Sequence, residues 1–235
     1  MNETPLILGM DTCSRRGALG LSQGGCLIAE RSLDLKGTFS EKLLPAVDQL
    51  LKDNGLEPGQ LDVVAVSHGP GSFTGLRIGL ATAKGLVYTG SMKAVEMVSL
   101  EVLAFGRAGD ERPVTAVLPA RPGWVYSATY RLEKNGLVCL KDPALYSLDD
   151  WVGSLDEESI LTGEGAVRHS EMLLEVYPSL EIDSDPAHHY PTGESVTSLG
   201  WARYQAGDIK SAEQVKPFYL QKSQAEERWR ERHGV

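Results

Sequence analysis

Two short, mainly apolar runs at 5–12 (PLILGMDT) and 17–23 (GALGLSQ) read as strands, with Cys13-Ser14-Arg15-Arg16 as the turn between them. Gly24-Gly25 then introduces a third strand at 26–34 (CLIAERSLD), and three strands in succession predict an antiparallel meander. The pattern next changes to that of a helix. Thr38 and Glu41 have capping-box spacing, and Phe39, Leu43, Val47, Leu50 and Leu51 share one face before Gly55 stops the pattern. Pro45 interrupts the run, so the helix kinks there or begins near Leu44. Residues 61–67 (LDVVAVS) are a near-continuous β-branched run, as a strand covered on both faces requires. A glycine-rich turn, a helix over about 72–89, a strand over 94–97 and a helix from Ser99 complete a βββαβαβ order with a last helix.

The second half opens the same way. Strands are predicted at 114–118, 124–130 and 138–140, a short helix at 147–152, a strand at 160–162, and helices at about 166–176 and 195–205. Only the order of elements repeats, since the halves show no common residues. The pattern therefore reads as an α/β protein of two related lobes, 1–108 and 109–222, followed by a charged helical tail at 223–235. Residues 177–191, with Asp183, Asp185 and the pair His188-His189, read as a solvated loop.

Composition narrows the classes. Of 235 residues 42% are hydrophobic and 23% charged, which is enough apolar material for a large core. No stretch approaches the roughly 20 apolar residues of a membrane-spanning helix, and the N-terminus lacks the basic and apolar regions of a secretory signal, so a cytoplasmic location is expected. Cys13, Cys26 and Cys139 are odd in number and far apart, which predicts buried, reduced, structural thiols. The net charge of −9, without a basic run, lacks the footprint of a nucleic-acid binder and assigns contact with RNA to a partner.

Candidate chemistry concentrates in 67–79 (SHGPGSFTGLRIG), where a buried strand turns into a helix. Free N–H groups and the helix dipole at such a place can hold an anion, which makes Gly69, Gly71, Ser72 and Thr74 candidate contacts for a weakly held anion or nucleotide. The P-loop pattern is absent. Two other readings stand beside this one: glycines serving a sharp turn with Ser72 or Thr74 as helix cap, and a direct contact with a partner.

The run HGPGSFTGLRIGLATAKGL resembles the signature of the TsaB family, and the similarity extends to LGMDTCS, FSEKLLPAVDQLLKDNG and VSLEVLA, then more weakly to ARPGWVYSATY, LTGEGA and PFYLQ. Phe39 stands where the family usually has a histidine before Ser-Glu. The resemblance implies an actin-like (ASKHA) fold of two RNase H-like lobes with mixed sheets. It also implies a non-catalytic partner of TsaD, the subunit that transfers threonylcarbamoyl to adenosine in tRNA, with the ATPase TsaE joining the pair. A homodimer is implied where TsaD is absent. No cofactor of its own is expected, ATP or ADP belonging to the partner complex.

TsaD is implied to hold its metal with two histidines four residues apart, flanking a Leu-Glu pair on the helix after the 94–97 strand. That spacing puts both imidazoles on one helical face. Matching Leu100-Glu101 to the pair places Ser99 and Leu103 at those positions, so neither a metal nor a catalytic residue is assigned. Asp11 ends the first strand where actin-like ATPases put a phosphate or metal residue, yet no second-lobe carboxylate matches it, which argues against an ATPase or kinase acting alone. A glycoprotease-type metalloenzyme is the other alternative, and Ser99 and Leu103 argue against it. Cys13 lies beside Arg15 and Arg16, as a thiol of lowered pKa would, but no base accompanies it. What remains is a protein-binding surface. Gly75, Gly79 and Ala83 recur every four residues with Leu76, Leu80 and Val87 beside them, a stripe that admits a partner helix or packs on the chain's own sheet. With Phe39, Leu43 and Val47 on the preceding helix, these residues form the expected interface.

Overall fold

The structure, a computed structural model, describes residues 3–34, 39–90, 92–107, 111–133 and 136–221, without the side chains of Phe39 and Ser40. The expected cap Thr38 and the tail 223–235 lie outside the described residues. The first sheet has the order β3-β2-β1-β4-β5. Strands β1 (Leu6–Asp11), β2 (Arg16–Gln23) and β3 (Cys26–Asp34) form the antiparallel meander, and β4 (Val63–Ser67) and β5 (Lys93–Met97) add parallel strands.

Alternation along β1 and β4 divides this lobe into two cores. Leu8, Met10, Val64 and Val66 face α1 (Phe39–Asp53) and α2 (Phe73–Thr89), whereas Ile7, Val63 and Ala65 face the opposite side. Pro45 lies inside α1 without ending it. The opposite face is covered by α7 (Gly193–Gln205), which comes in close because the strands offer it glycines. A Cβ on Gly9 would lie 2.7 Å from Thr197, and one on Gly20 would collide with the Gly193 carbonyl.

The second sheet runs β8-β7-β6-β9, formed by β6 (Val114–Pro119), β7 (Trp124–Glu133), β8 (Gly136–Ser147) and β9 (Ile160–Thr162). It repeats the antiparallel meander and the parallel fourth strand of the first. Between the sheets lies α3 (Ser99–Phe105), which sends Val102 to the first and Leu100, Leu103 and Ala104 to the second. The outer face carries α4 (Leu148–Gly153), α5 (Glu164–Arg168) and α6 (Ser170–Val176).

Four expectations change. The lobe boundary at 108/109 does not follow the packing: α7 buries Val196, Leu199 and Tyr204 on the first sheet, and Ala212 and Val215 join its core. The third strand of the second lobe runs from 136 rather than 138 and on to 147, because an edge strand tolerates Pro143 and a register shift near Thr129 absorbs the extra residues. The helix expected at 166–176 breaks at His169 into α5 and α6. Of the three thiols only Cys13 is buried, since Cys26 and Cys139 lie on the edge strands β3 and β8.

Candidate functional site

The glycine turn joins β4 to α2 with every feature of a tightly packed connection. Gly69 and Gly71 have φ of +116° and +150°, and a Cβ on Gly71 would collide with the Cys13 carbonyl. Ser72 caps α2, accepting from Gly75 N–H at 3.2 Å, and its own N–H donates to the Cys13 carbonyl at 2.6 Å. The Ser72 N–H is thus already taken by protein. Thr74 lies exposed in the first turn.

The segment 216–221 closes over this turn. Phe218 N–H donates to the His68 carbonyl at 2.8 Å while the two rings stack, and Tyr219 stacks on Phe73 with centroids 4.4 Å apart. The Arg77 guanidinium lies over the Phe73 ring, 4.6 Å from its centroid, and its Nε donates to the Tyr219 hydroxyl at 3.1 Å. Leu220 then packs on the second-lobe core, and Tyr126 donates to Gln221 at 3.4 Å. The PFYLQ run is therefore a strap that ties both lobes together across the turn. Its lack of any helix or strand period gave no sign of this role.

Asp11 is fully buried behind Cys13 and does not share an open site with Ser72 and Thr74. Its Oδ1 accepts from Cys13 N–H at 3.0 Å. Burial pushes the carboxyl above the usual carboxylate range, against the smaller opposing effect of donors at Ser67, Cys13 and Ser14. The Cys13 thiol is likewise raised well above its usual value, by burial first and by Asp11 second. The position of Cys13 beside two arginines in sequence does not activate it, because the thiol faces the interior and the guanidinium of Arg15 faces Glu164.

The residues expected to touch a partner divide differently. Leu43, Val47, Leu76, Gly79, Leu80, Ala83 and Val87 are all buried within the chain. Gly79 lets α2 approach the turn after β1 so closely that a Cβ there would collide with the Thr12 hydroxyl, which itself donates to the Gly75 carbonyl at 2.8 Å. The small-residue stripe therefore packs on the chain's own sheet, and none of these seven side chains is open to a partner in this conformation. The outward surfaces of the same two helices carry Leu44, 52% exposed, and Arg77, Ala81, Gly85 and Tyr88, the last 78% exposed. Tyr88, Lys84, Gly85, Thr89, Ala212 and Glu213 line a shallow depression there.

The histidine pair is more ordered than a solvated loop. A 3-10 turn over Pro186–His189 directs both rings to Asp183: His188 Nδ1 lies 2.9 Å from its carboxylate and His189 Nε2 3.0 Å from its carbonyl. Arg107 pairs with the same carboxylate at 3.1 Å. Among the described residues no three His, Cys, Asp or Glu side chains converge as metal ligands would. Ser99 and Leu103 are both buried.

A cluster not anticipated from the sequence brings Arg15, in the β1–β2 turn, to Glu164 at the start of α5, at 3.5 Å, with Arg168 on the same carboxylate at 2.8 Å. The two arginines lie 153 positions apart in sequence, so only the adjacent basic pair Arg15-Arg16 hinted at it.

The family model described as TsaD, tRNA N6-adenosine threonylcarbamoyltransferase, matches residues 35–229. The tRNA threonylcarbamoyladenosine biosynthesis protein TsaB of Bacillus subtilis is 31% identical over 95% of this chain and 97% of its own length. That of Escherichia coli is 26% identical over 93% and 96%. The solved structure of YeaZ from Pseudomonas aeruginosa superposes with a TM-score of 0.80 at 25% identity, covering 92% of this chain and all of that one. At the level of fold alone, (R)-2-hydroxyglutaryl-CoA dehydratase component A from Acidaminococcus fermentans superposes with a TM-score of 0.53 and 10% identity, over 86% and 99%. The two meander sheets are thus the two halves of an actin-like fold, and, matched along nearly its whole length by the TsaB proteins of Bacillus subtilis and Escherichia coli, the chain belongs to the TsaB family.

Proposed function

We propose that this chain is a non-catalytic subunit that pairs with TsaD, and through that pair with TsaE, to support transfer of the threonylcarbamoyl group to adenosine in tRNA. The observation that carries the reading is the near full-length similarity to proteins named for threonylcarbamoyladenosine biosynthesis. Support for a non-catalytic role comes from Ser99 and Leu103, buried apolar or hydroxyl side chains where the TsaD resemblance implies histidines. Further support comes from the glycine turn, whose Ser72 N–H and flanking rings are engaged by the chain itself. ATP or ADP then belongs to the partner complex, in the cytoplasm.

The pairing surface we propose is the outward face of α1 and α2 around Leu44, Gly85 and Tyr88, and the same face makes a homodimer when TsaD is absent. A tyrosine this exposed has little to lose from the fold and much to bury in a partner. Tyr88→Ala is expected to weaken pairing with TsaD by about 30-fold, the equivalent of a hot-spot loss of about 2 kcal/mol. Its thermal melt should match that of the parent. Sedimentation with TsaD reads the first quantity and circular dichroism the second. A Tyr88→Ala chain that pairs like the parent would remove the interface from this face.

A further inference from the structure

Arg15 and Arg168 meet on one buried carboxylate where the two lobes come together, with the exposed Arg16 next to Arg15 in the chain. Glu164 is only 9% exposed and pairs with Arg168 at 2.8 Å and Arg15 at 3.5 Å. Arg15 comes from the first lobe and Arg168 from the second, so the carboxylate anchors guanidinium groups delivered by both. Arg16 has no hydrogen bond or ion pair from its side chain to any described residue. It lies at the start of β2, opposite Asp34 in the β2–β3 register and directly after Arg15, and Tyr190 feels the charges of all three arginines and of Glu164. Three positive charges against the two negative ones of Glu164 and Asp34 leave a local excess of one in a chain whose net charge is −9. Like charges held together repel unless something neutralises them, and Glu164 and Asp34 neutralise two.

From this geometry we propose that the cluster is a contact for the phosphate backbone of RNA, with Arg16 and the outer faces of Arg15 and Arg168 each reaching a phosphate oxygen. Guanidinium groups suit phosphate because their N–H groups form a planar fork that matches two oxygens. Exposure separates a backbone contact from an enclosed small-molecule pocket: the side chains of Arg15 and Arg168 are 69% and 46% exposed. Burial and Glu164 raise the Tyr190 phenol above its usual value, which keeps its proton available to donate beside the arginines. The choice of RNA over other polyanions rests on the proposed role in tRNA modification. The site itself rests on the residues named. It departs from the expectation that RNA contact belongs to the partner alone, since the net charge conceals a local reversal of sign.

The test is fluorescence anisotropy of tRNA with the full chain, without partners, over a series of salt concentrations. Binding should be weak, on the order of 10⁻⁴–10⁻⁶ M, and the slope of log affinity against log salt should lie near −2 to −3. Arg16→Ser, which breaks no pairing in the fold, should move that slope toward zero by about one, and adding Arg168→Gln by about one more. Free ADP should not compete. Unchanged slopes in the folded Arg16→Ser chain would overturn the proposal, as would ADP displacing RNA with the same sensitivity to the arginines, which would mark a nucleotide pocket. Because no partner is present, failure of TsaD pairing would leave this measurement unaffected, and a lost RNA contact would leave the pairing test unaffected.

Discussion

Gly79 and Gly85 lie on the same helix, six residues apart, and replacing each by alanine should move stability in opposite directions. In a helix interior the change itself favours alanine by roughly 0.5–1 kcal/mol. At Gly85 nothing lies within 4 Å of the added Cβ, so that gain should appear undiminished. At Gly79 the Cβ would collide with the Thr12 hydroxyl and sit 3.3 Å from its Cβ and 3.4 Å from its Cγ2. Thr12 is fully buried, and its hydroxyl already donates to the Gly75 carbonyl at 2.8 Å. Either α2 lifts from the sheet, costing about 1–3 kcal/mol as overpacking does, or Thr12 rotates and leaves a buried hydroxyl unpaired at a similar cost. Set against the helical gain, Gly79→Ala should lose about 1–2 kcal/mol, or roughly 2–8 °C in Tm for a chain of this size, while Gly85→Ala should gain up to about 4 °C. Circular-dichroism melts of the two variants decide the matter. A Gly79→Ala chain at least as stable as the parent but unable to pair with TsaD would mean that the small-residue stripe faces outward after all.

Other outcomes follow from the same packing. Asp11→Asn keeps an acceptor for Cys13 N–H while removing the carboxyl whose folded pKa burial raises. Because that proton is held more tightly in the folded state, the parent's stability contribution from Asp11 is full below the ordinary carboxylate range and is lost as pH rises through the folded pKa. Melts should therefore coincide near pH 4 and favour the Asn variant near pH 8, and the reverse order would contradict the burial argument. Tyr219→Ala removes a ring stack and a hydrogen bond from Arg77, and denaturant titration should show a loss of about 1–3 kcal/mol. The purified chain should contain no stoichiometric zinc or iron by elemental analysis and hydrolyse negligible ATP alone; tight metal binding abolished by changing His188 or His189 would contradict this.

The sequence made the first meander legible because its strands are short apolar runs set off by the turn at Cys13-Ser14-Arg15 and by Gly24-Gly25. It made the β4–α2 turn legible because Gly69 and Gly71 require backbone angles other residues rarely adopt. Periodicity shows which residues share a face but not what covers it. Gly75, Gly79 and Ala83 have the same spacing whether a partner helix or the chain's own sheet lies opposite, and the buried neighbours Leu76 and Leu80 decide for the sheet only once the fold is seen. The lobe boundary failed for a related reason: the pattern in 195–205 predicts a helix without saying that its glycine-lined seat is on the first sheet. Long-range assemblies had weaker signals still. The strap of Phe218 and Tyr219 has no period, and the pairing of Arg15 with Glu164 joins turns from different lobes.

The proposed role in tRNA modification is tested most directly by reconstituting threonylcarbamoyl transfer with TsaD, TsaE and tRNA, with this chain present or omitted, and measuring modified adenosine by mass spectrometry. Modification should depend on the chain, and the Tyr88→Ala variant should restore it only at raised concentration, as weakened pairing requires. Equal modification without the chain, or modified adenosine formed by this chain in the absence of TsaD, would contradict a non-catalytic supporting subunit.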